Sequence, residues 1–390
     1  MSQVDDGCVE CTFNARRSSN RQISDDQNNL MDAKKDTSEE YGFLNYRNVK
    51  RLRIGRYEFD TWFGNSAVFS EPMFNKSTSK YEVHLAYQDP KEQKKIGDKI
   101  KSYKDYVVED EKPWIEVLYF CCYCFKFTDN KEEWECHQQS CKYQFLALGK
   151  VMYDFDNTVI RRISGFHHKL FCQCMCLLAK FFLDNKSIFY YVDNFDFYVI
   201  YKVVDDQLLP MGFYSRELLS WENNNLSCIC VFPCYQKHHL GALLIDFSYA
   251  LSKHENQVSG PEHPLSELGQ IAYLKYWCRR IYEYLCNIGT SHTSLEIMSQ
   301  STGIRIHELL DALSFMGILY KIGKNKATHT FYSDHKIGLD NEDSVESEFH
   351  VYLDRIHLQS WIEQNMPDCL TNFKGLNSFG FKFHSTNPNR

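Results

Sequence analysis

The 390-residue chain has no run of 18 apolar residues, the least that reads as a membrane-spanning helix. Its most apolar stretch, Ile188 to Val204, is broken by Asp193 and Asp196. The N-terminus, MSQVDDGCVECTFNARR, lacks the apolar centre of a secretory signal. Basic residues are not in excess: 44 Lys and Arg face 51 Asp and Glu, a formal charge of −7. That balance disfavours a general nucleic-acid binder, which is usually basic. Mild acidity suits a basic partner, or simply keeps the chain soluble. No internal repeat is present, so the chain is not read as an array of stacked units.

Hydrophobic residues, in contrast, make up 43% of the chain, with 28 Phe and 25 Tyr. Such a composition argues against global disorder, and the length suggests two or three domains. The 16 cysteines, with no secretory signal before them, are expected to be reduced thiols of an intracellular protein, a few of them binding metal.

Residues 1–42 are polar and without hydrophobic period, and read as a disordered tail. The lone Cys8/Cys11 pair there has no second pair to complete a metal site. Residues 43–112 read as opening strands, VKRLRIGRYEFDTWF with a turn at Gly55, followed by a polar insertion from residue 64. Its lysine-rich part, 91–104, reads as a solvated face, with nucleic-acid contact or nuclear import as the sharper alternatives. Residues 113–150 hold a Cys/His unit, and residues 151–288 alternate strands and helices. There, 171–183 reads as a buried helix, SIFYYVDNFDFYVIYKVV as paired strands, and 226–235 as a strand ending at Pro233. A helix follows over 240–255, opened by Gly241, and another ends at Gly289. Residues 289–390 give helix, turn, helix and strand, a winged-helix-like outline, then one more apolar segment and a polar tail.

Cys121, Cys124, His137 and Cys141 follow the pattern C-x2-C-x12-H-x3-C. This is the ligand set and finger spacing that tetrahedral Zn²⁺ prefers. All four positions are protein ligands, so the zinc is structural rather than catalytic. Cys122 and Cys136 are the local competitors, and Cys122 is expected to point away. A single finger without a basic helix is a poor reader of bases. Sequence-specific DNA binding is therefore not expected.

A strand–turn–helix surrounds Gln236 in CICVFPCYQKHHLGALLI. The N–H groups at the start of its helix form an anion site suited to a pyrophosphate, although this arrangement alone is common.

Four segments carry a stronger signal. LYFCCYCFKF…HQQSC, FCQCMCLLAKFFLDNKSIF (171–189), NLSCICVFPCYQKHHLGALLI (225–245) and GPEHPLSELG (260–269) stand in this order. They resemble the MYST lysine acetyltransferases, and IGRYEFDTWF most resembles the males-absent-on-the-first branch. The resemblance covers about 48–63 and 113–324. It implies an α/β fold: a GNAT-like acetyltransferase core with a mixed sheet, an N-terminal C2HC zinc finger and a C-terminal winged-helix-like region. It also implies acetyl transfer from acetyl-CoA to a histone lysine in the nucleus, histone tails and chromatin-complex subunits as partners, and structural Zn²⁺. Glu262 takes the family's general-base position, and a pKa raised by burial would suit it to deprotonate a substrate ammonium. Cys228 matches the active-site cysteine, as an acetyl carrier or as part of the lining. Lys180 matches an autoacetylated lysine, or is simply a buried lysine paired with a carboxylate. Cofactor contacts are implied for Ile229, Cys230 and Val231, for the loop Gln236, Lys237, His238, His239, Leu240, Gly241 and Ala242, and for Ser266.

The loop departs from the family's QRKGYGK. Its first glycine is His239 and its last lysine is Ala242. If residue 239 is left-handed, a β-carbon there costs about 1–2 kcal/mol. Two functions follow: an active histone acetyltransferase, or a weakened paralogue serving as a scaffold.

Overall fold

The computed structural model describes residues 42–86, 106–108, 112–146, 148–183, 190–204, 207–288, 293–321, 349–351, 355–366 and 375–382. The calls on residues 1–41, including Cys8 and Cys11, on the lysine-rich 91–104 and on Gly289 lie outside these.

The opening segment forms the expected hairpin. β1 (Val49–Ile54) and β2 (Tyr57–Asp60) meet at Gly55, whose φ of 57° favours glycine. β3 (Ile115–Phe120) runs parallel to β1, and β4 (Phe127–Thr128) completes a sheet ordered β2-β1-β3-β4. The helix α1 (Lys131–Ser140) follows, capped by the Asn130 side chain on the N–H groups of Glu132 and Glu133.

Not all of 64–112 is loop. Met73–Asn75, Lys80–Val83 and Tyr106–Val107 form a three-stranded sheet, and Val68, Phe69, Val83 and Tyr106 join the core. These strands are two to four residues long, with Met73, Phe74 and Tyr81 exposed, so no buried apolar period marks them in sequence.

The central sheet is antiparallel. β5 (Lys150–Phe155), β6 (Thr158–Ser164), β7 (Phe195–Val204) and β8 (Gln207–Glu217) lie in order, after which the chain forks. β10 (Cys228–Val231) continues the sheet on β8, with Tyr214 opposite Ile229. β9 (Asn224–Leu226), just before it, instead pairs in parallel with β11 (Gly260–Pro261).

β7 explains one misreading. Of the stretch read as paired strands, the described residues 190–204 hold one strand, which begins at Phe195 and has β8 as its partner. Phe197, Val199 and Tyr201 pack on one face with Phe171, Cys172 and Met175 of α2 (Lys169–Ala179). Tyr198 and Ile200 pack on the other with Leu244, Phe247 and Leu251 of α3 (Leu240–His254). A strand covered on both faces shows no alternation in its sequence. Each such side chain contributes about 1.5–3 kcal/mol when fully buried. α2 itself stops at Ala179, short of the expected Leu183.

A second cluster gathers α4 (Glu267–Asn287), α5 (Leu295–Thr302), α6 (Ile306–Phe315) and α7 (Arg355–Asn365). β12 (Leu319–Lys321) follows α6 and pairs antiparallel with β13 (Phe349–Val351). The helix, turn, helix and strand read from the sequence are thus present as elements. The fold is mixed α/β, and no described helix is long and apolar enough to cross a membrane.

Candidate active site and metal centre

The metal ligands come from the end of β3 and the end of α1. After Phe120 the chain turns tightly: Phe125 N–H donates to Cys121 O at 3.0 Å, and Cys121 N–H to Lys126 O at 2.8 Å. This presents Cys121 and Cys124 together. α1 carries His137 in its last turn and ends at Cys141. Buried Trp134 fixes α1 to β3, its indole N–H donating to Phe120 O at 2.9 Å.

One donor atom from each of Cys121, Cys124, His137 and Cys141 lies within 4.8 Å of the others. Cys124 Sγ is 3.2 Å from His137 Nε2. Zn–S bonds of about 2.3 Å in a tetrahedron place sulfurs roughly 3.8 Å apart, so the donor set fits Zn²⁺ as it stands. Cys122 is outside the set, as expected. Burial pushes its thiol up to about 12, and its Sγ donates to Gln138 Oε1 at 3.3 Å. Cys136 is exposed.

The second centre lies at the fork. Glu262 follows β11, and its N–H donates to Leu226 O at 2.8 Å, two residues before Cys228. The fork therefore brings the Glu262 and Cys228 segments together. Cys228 is half-buried at the start of the edge strand β10, its N–H donating to Ser215 Oγ at 3.2 Å. Cys230 packs into the α2 side of the sheet, whereas Ile229 and Val231 pack on the α3 side. Glu262 is exposed. The burial expected for Glu262 is therefore absent.

From Val231 the chain makes a short 3-10 turn at Pro233–Tyr235 and enters α3. Gln236 Nε2 donates to Val231 O at 3.1 Å, tying the loop to the strand. Lys237, His238 and His239 are exposed, and Leu240 is buried. Lys237 and His239 both have positive φ, 64° and 59°. His239, not Gly241, is the residue at which the helix opens. The left-handed cap thus occupies the position of the resembling loop's first glycine. A β-carbon on Gly241 would meet only Val231 Cγ2, at 3.8 Å, so the start of α3 has room for a ligand. Ala242 follows in the first turn, half-buried. A cavity of about 980 Å³ reaches from His238 and Leu240 to Arg56 and Gln138, between the finger and the central sheet.

Ser266 and Lys180 come from other elements. The Ser266 hydroxyl accepts from Gly269 N–H at 3.1 Å as the cap of α4. Lys180 is fully buried after α2, with its Nζ 3.5 Å from the centre of the Phe43 ring.

Three supporting residues were not singled out from the sequence. Ser215 orients Cys228. Arg305 donates to Pro261 O, Glu222 O, Asn223 O and Asn224 Oδ1, lacing both arms of the fork to α6. Glu308 is fully buried beneath β11 and pushed up to about 7 by burial, with Arg305 opposing. The only trace of the last two in sequence is a cation and an acid three apart at a helix start.

The sequence model of the MOZ/SAS family matches residues 146–355. The chain is 38% identical over 289 residues to the histone acetyltransferase SAS2 of Saccharomyces cerevisiae, covering 73% of this chain and 78% of that one. It is 34% identical over 242 residues to human histone acetyltransferase KAT6B, covering 62% of this chain and 11% of that one. It is 30% identical over 295 residues to the histone acetyltransferase of the MYST family 2 of Arabidopsis thaliana, covering 76% of this chain and 56% of that one.

Proposed function

The chain belongs to the MOZ/SAS family of MYST histone acetyltransferases, and on that basis we propose how its residues move an acetyl group from acetyl-CoA to a histone lysine. The observation that carries the reading is the fork, which sets Glu262 beside the Cys228 strand and points that strand into the left-handed loop before α3.

In this reading the pyrophosphate of acetyl-CoA lies at the start of α3. The N–H groups of Leu240, Gly241 and Ala242 are available there, with the open space at Gly241 and the side chains of Gln236, Lys237, His238 and His239 around them. The pantetheine arm runs along the edge strand of Ile229, Cys230 and Val231, with Ser266 as a further cofactor contact. The thioester then lies near Cys228, within reach of Glu262.

A substrate lysine has a pKa near 10.4 and arrives as an ammonium. Glu262 takes one proton from it. The amine attacks the thioester carbonyl, a C–N bond forms, the C–S bond breaks with its electron pair going to sulfur, and the departing CoA thiolate takes up the second proton that the nitrogen sheds. Cys228 lines this site in a direct transfer. If it carried the acetyl group instead, acid quenching during turnover would trap an acetyl-enzyme that Cys228→Ala cannot form.

The division into a finger at 113–150, a core at 151–288 and a C-terminal region at 289–390 stands as part of this proposal. So do Lys180 as an autoacetylation site, work in the nucleus and recruitment by chromatin-complex subunits. The names of the relatives support transfer over the scaffold alternative. Labelled acetyl-CoA offered with histone H3 and H4 peptides tests the reading. Radiolabel in the peptide is expected; acetyl-CoA binding without any transfer would return the scaffold reading.

A further inference from the structure

The residue after Glu262 is His263, and it does not point into open solvent alone. One donor atom each from His263, His307 and Glu308 lies within 4.8 Å of the others, and the two imidazole centres are 5.9 Å apart. The two histidines are exposed, whereas Glu308 is fully buried. Its Oε2 accepts from Tyr249 OH and from Arg305 N–H, each at 3.3 Å, but its Oε1 is buried without a hydrogen-bond partner. A buried carboxylate oxygen left this way normally requires an explanation.

We propose that His263, His307 and Glu308 form a second divalent-cation site, for Zn²⁺ or a similar borderline metal, that ties the Glu262 segment to α6. Two imidazoles and one carboxylate suit such a metal and leave positions open for water. Arg305 opposes it, with Nη1 4.0 Å from Glu308 Oε1. Its guanidinium is, however, already committed to the carbonyls of Glu222, Asn223 and Pro261. Because α6 and the segment just after β11 both contribute donors, an occupied site would hold Glu262 in one place. This consequence for turnover rests on the reading of Glu262 as the base; the binding itself does not.

The test uses the full chain with its finger zinc in place, titrated with Co²⁺ followed by visible absorption and then with Zn²⁺ by calorimetry. One equivalent beyond the finger is expected. His263→Ala/His307→Ala should lose it, or bind at least tenfold more weakly, with an unchanged melting temperature because both side chains are exposed. Equal metal uptake by wild type and double variant would overturn the site, as would the absence of any further equivalent in the wild type. In acetyl transfer, added Zn²⁺ should change kcat in the wild type and not in His307→Ala. Metal binding with no such difference would refute the coupling to Glu262. No transfer by either protein under any condition would instead count against the acetyltransferase reading, leaving the titration to decide the site.

Discussion

His239 holds a φ of 59° and ψ of 13° where the resembling loop has glycine. For a residue with a β-carbon, the left-handed conformation costs about 1–2 kcal/mol. His239→Gly removes that cost, but it adds about 0.5–1 kcal/mol by freeing the unfolded chain. The net expectation is a gain of roughly 0.5–1 kcal/mol, or about 1–4 °C in melting temperature for a domain of this size. His239→Ala keeps the β-carbon and should bring no such gain, which separates backbone strain from loss of the imidazole. The assay is thermal or denaturant unfolding of the three proteins, with acetyl-CoA affinity by calorimetry alongside. If the loop has the same shape free and bound, the strain relief appears in stability and largely cancels from affinity. Any tightening for glycine then reports crowding of the phosphates by the side chain. A lower melting temperature for His239→Gly than for His239→Ala would refute the reasoning, since it would mean that residue 239 is not held left-handed.

Three further outcomes follow from the structure. Cys141→Ser, or exhaustive chelation, should release zinc and melt α1; structural zinc contributes about 10–16 kcal/mol in isolated fingers, and exposure of Trp134, now 4% accessible, should red-shift fluorescence relative to a Trp134→Phe control. Gly260→Ala would place a β-carbon 1.9 Å from Glu308 Oε1, so a loss of about 1–3 kcal/mol is expected in denaturant unfolding. Phe43→Leu takes the ring from beneath the buried Lys180 ammonium and should cost about 2 kcal/mol by the same measurement.

What was legible in the sequence was mostly local. The spacing of Cys121, Cys124, His137 and Cys141 encodes a turn followed by a helix, and the structure brings these residues together. The helix after Gln236 was equally readable, because it is set by a few neighbouring residues, whereas the left-handed conformation at residue 239 entered only as a condition. The fork was not. The pairing of Asn224–Leu226 with Gly260–Pro261 joins segments separated by all of α3, and no periodicity announces a two-residue strand. The exposure of Glu262 depends on that same pairing, so the expected burial could not be checked from its motif. Glu308 and Arg305 were missed for a related reason: Arg305 donates to the carbonyls of Pro261 and Glu222, and Glu308 accepts from the Tyr249 hydroxyl, all far away in sequence.

The most direct test of the account is acetyl transfer to histone peptides by the wild type and Glu262→Gln, measured with matched melting curves. The account predicts that kcat falls by about 10²–10⁴, the usual contribution of a general base, while the melting temperature stays unchanged because Glu262 is exposed. Full turnover by Glu262→Gln would contradict it.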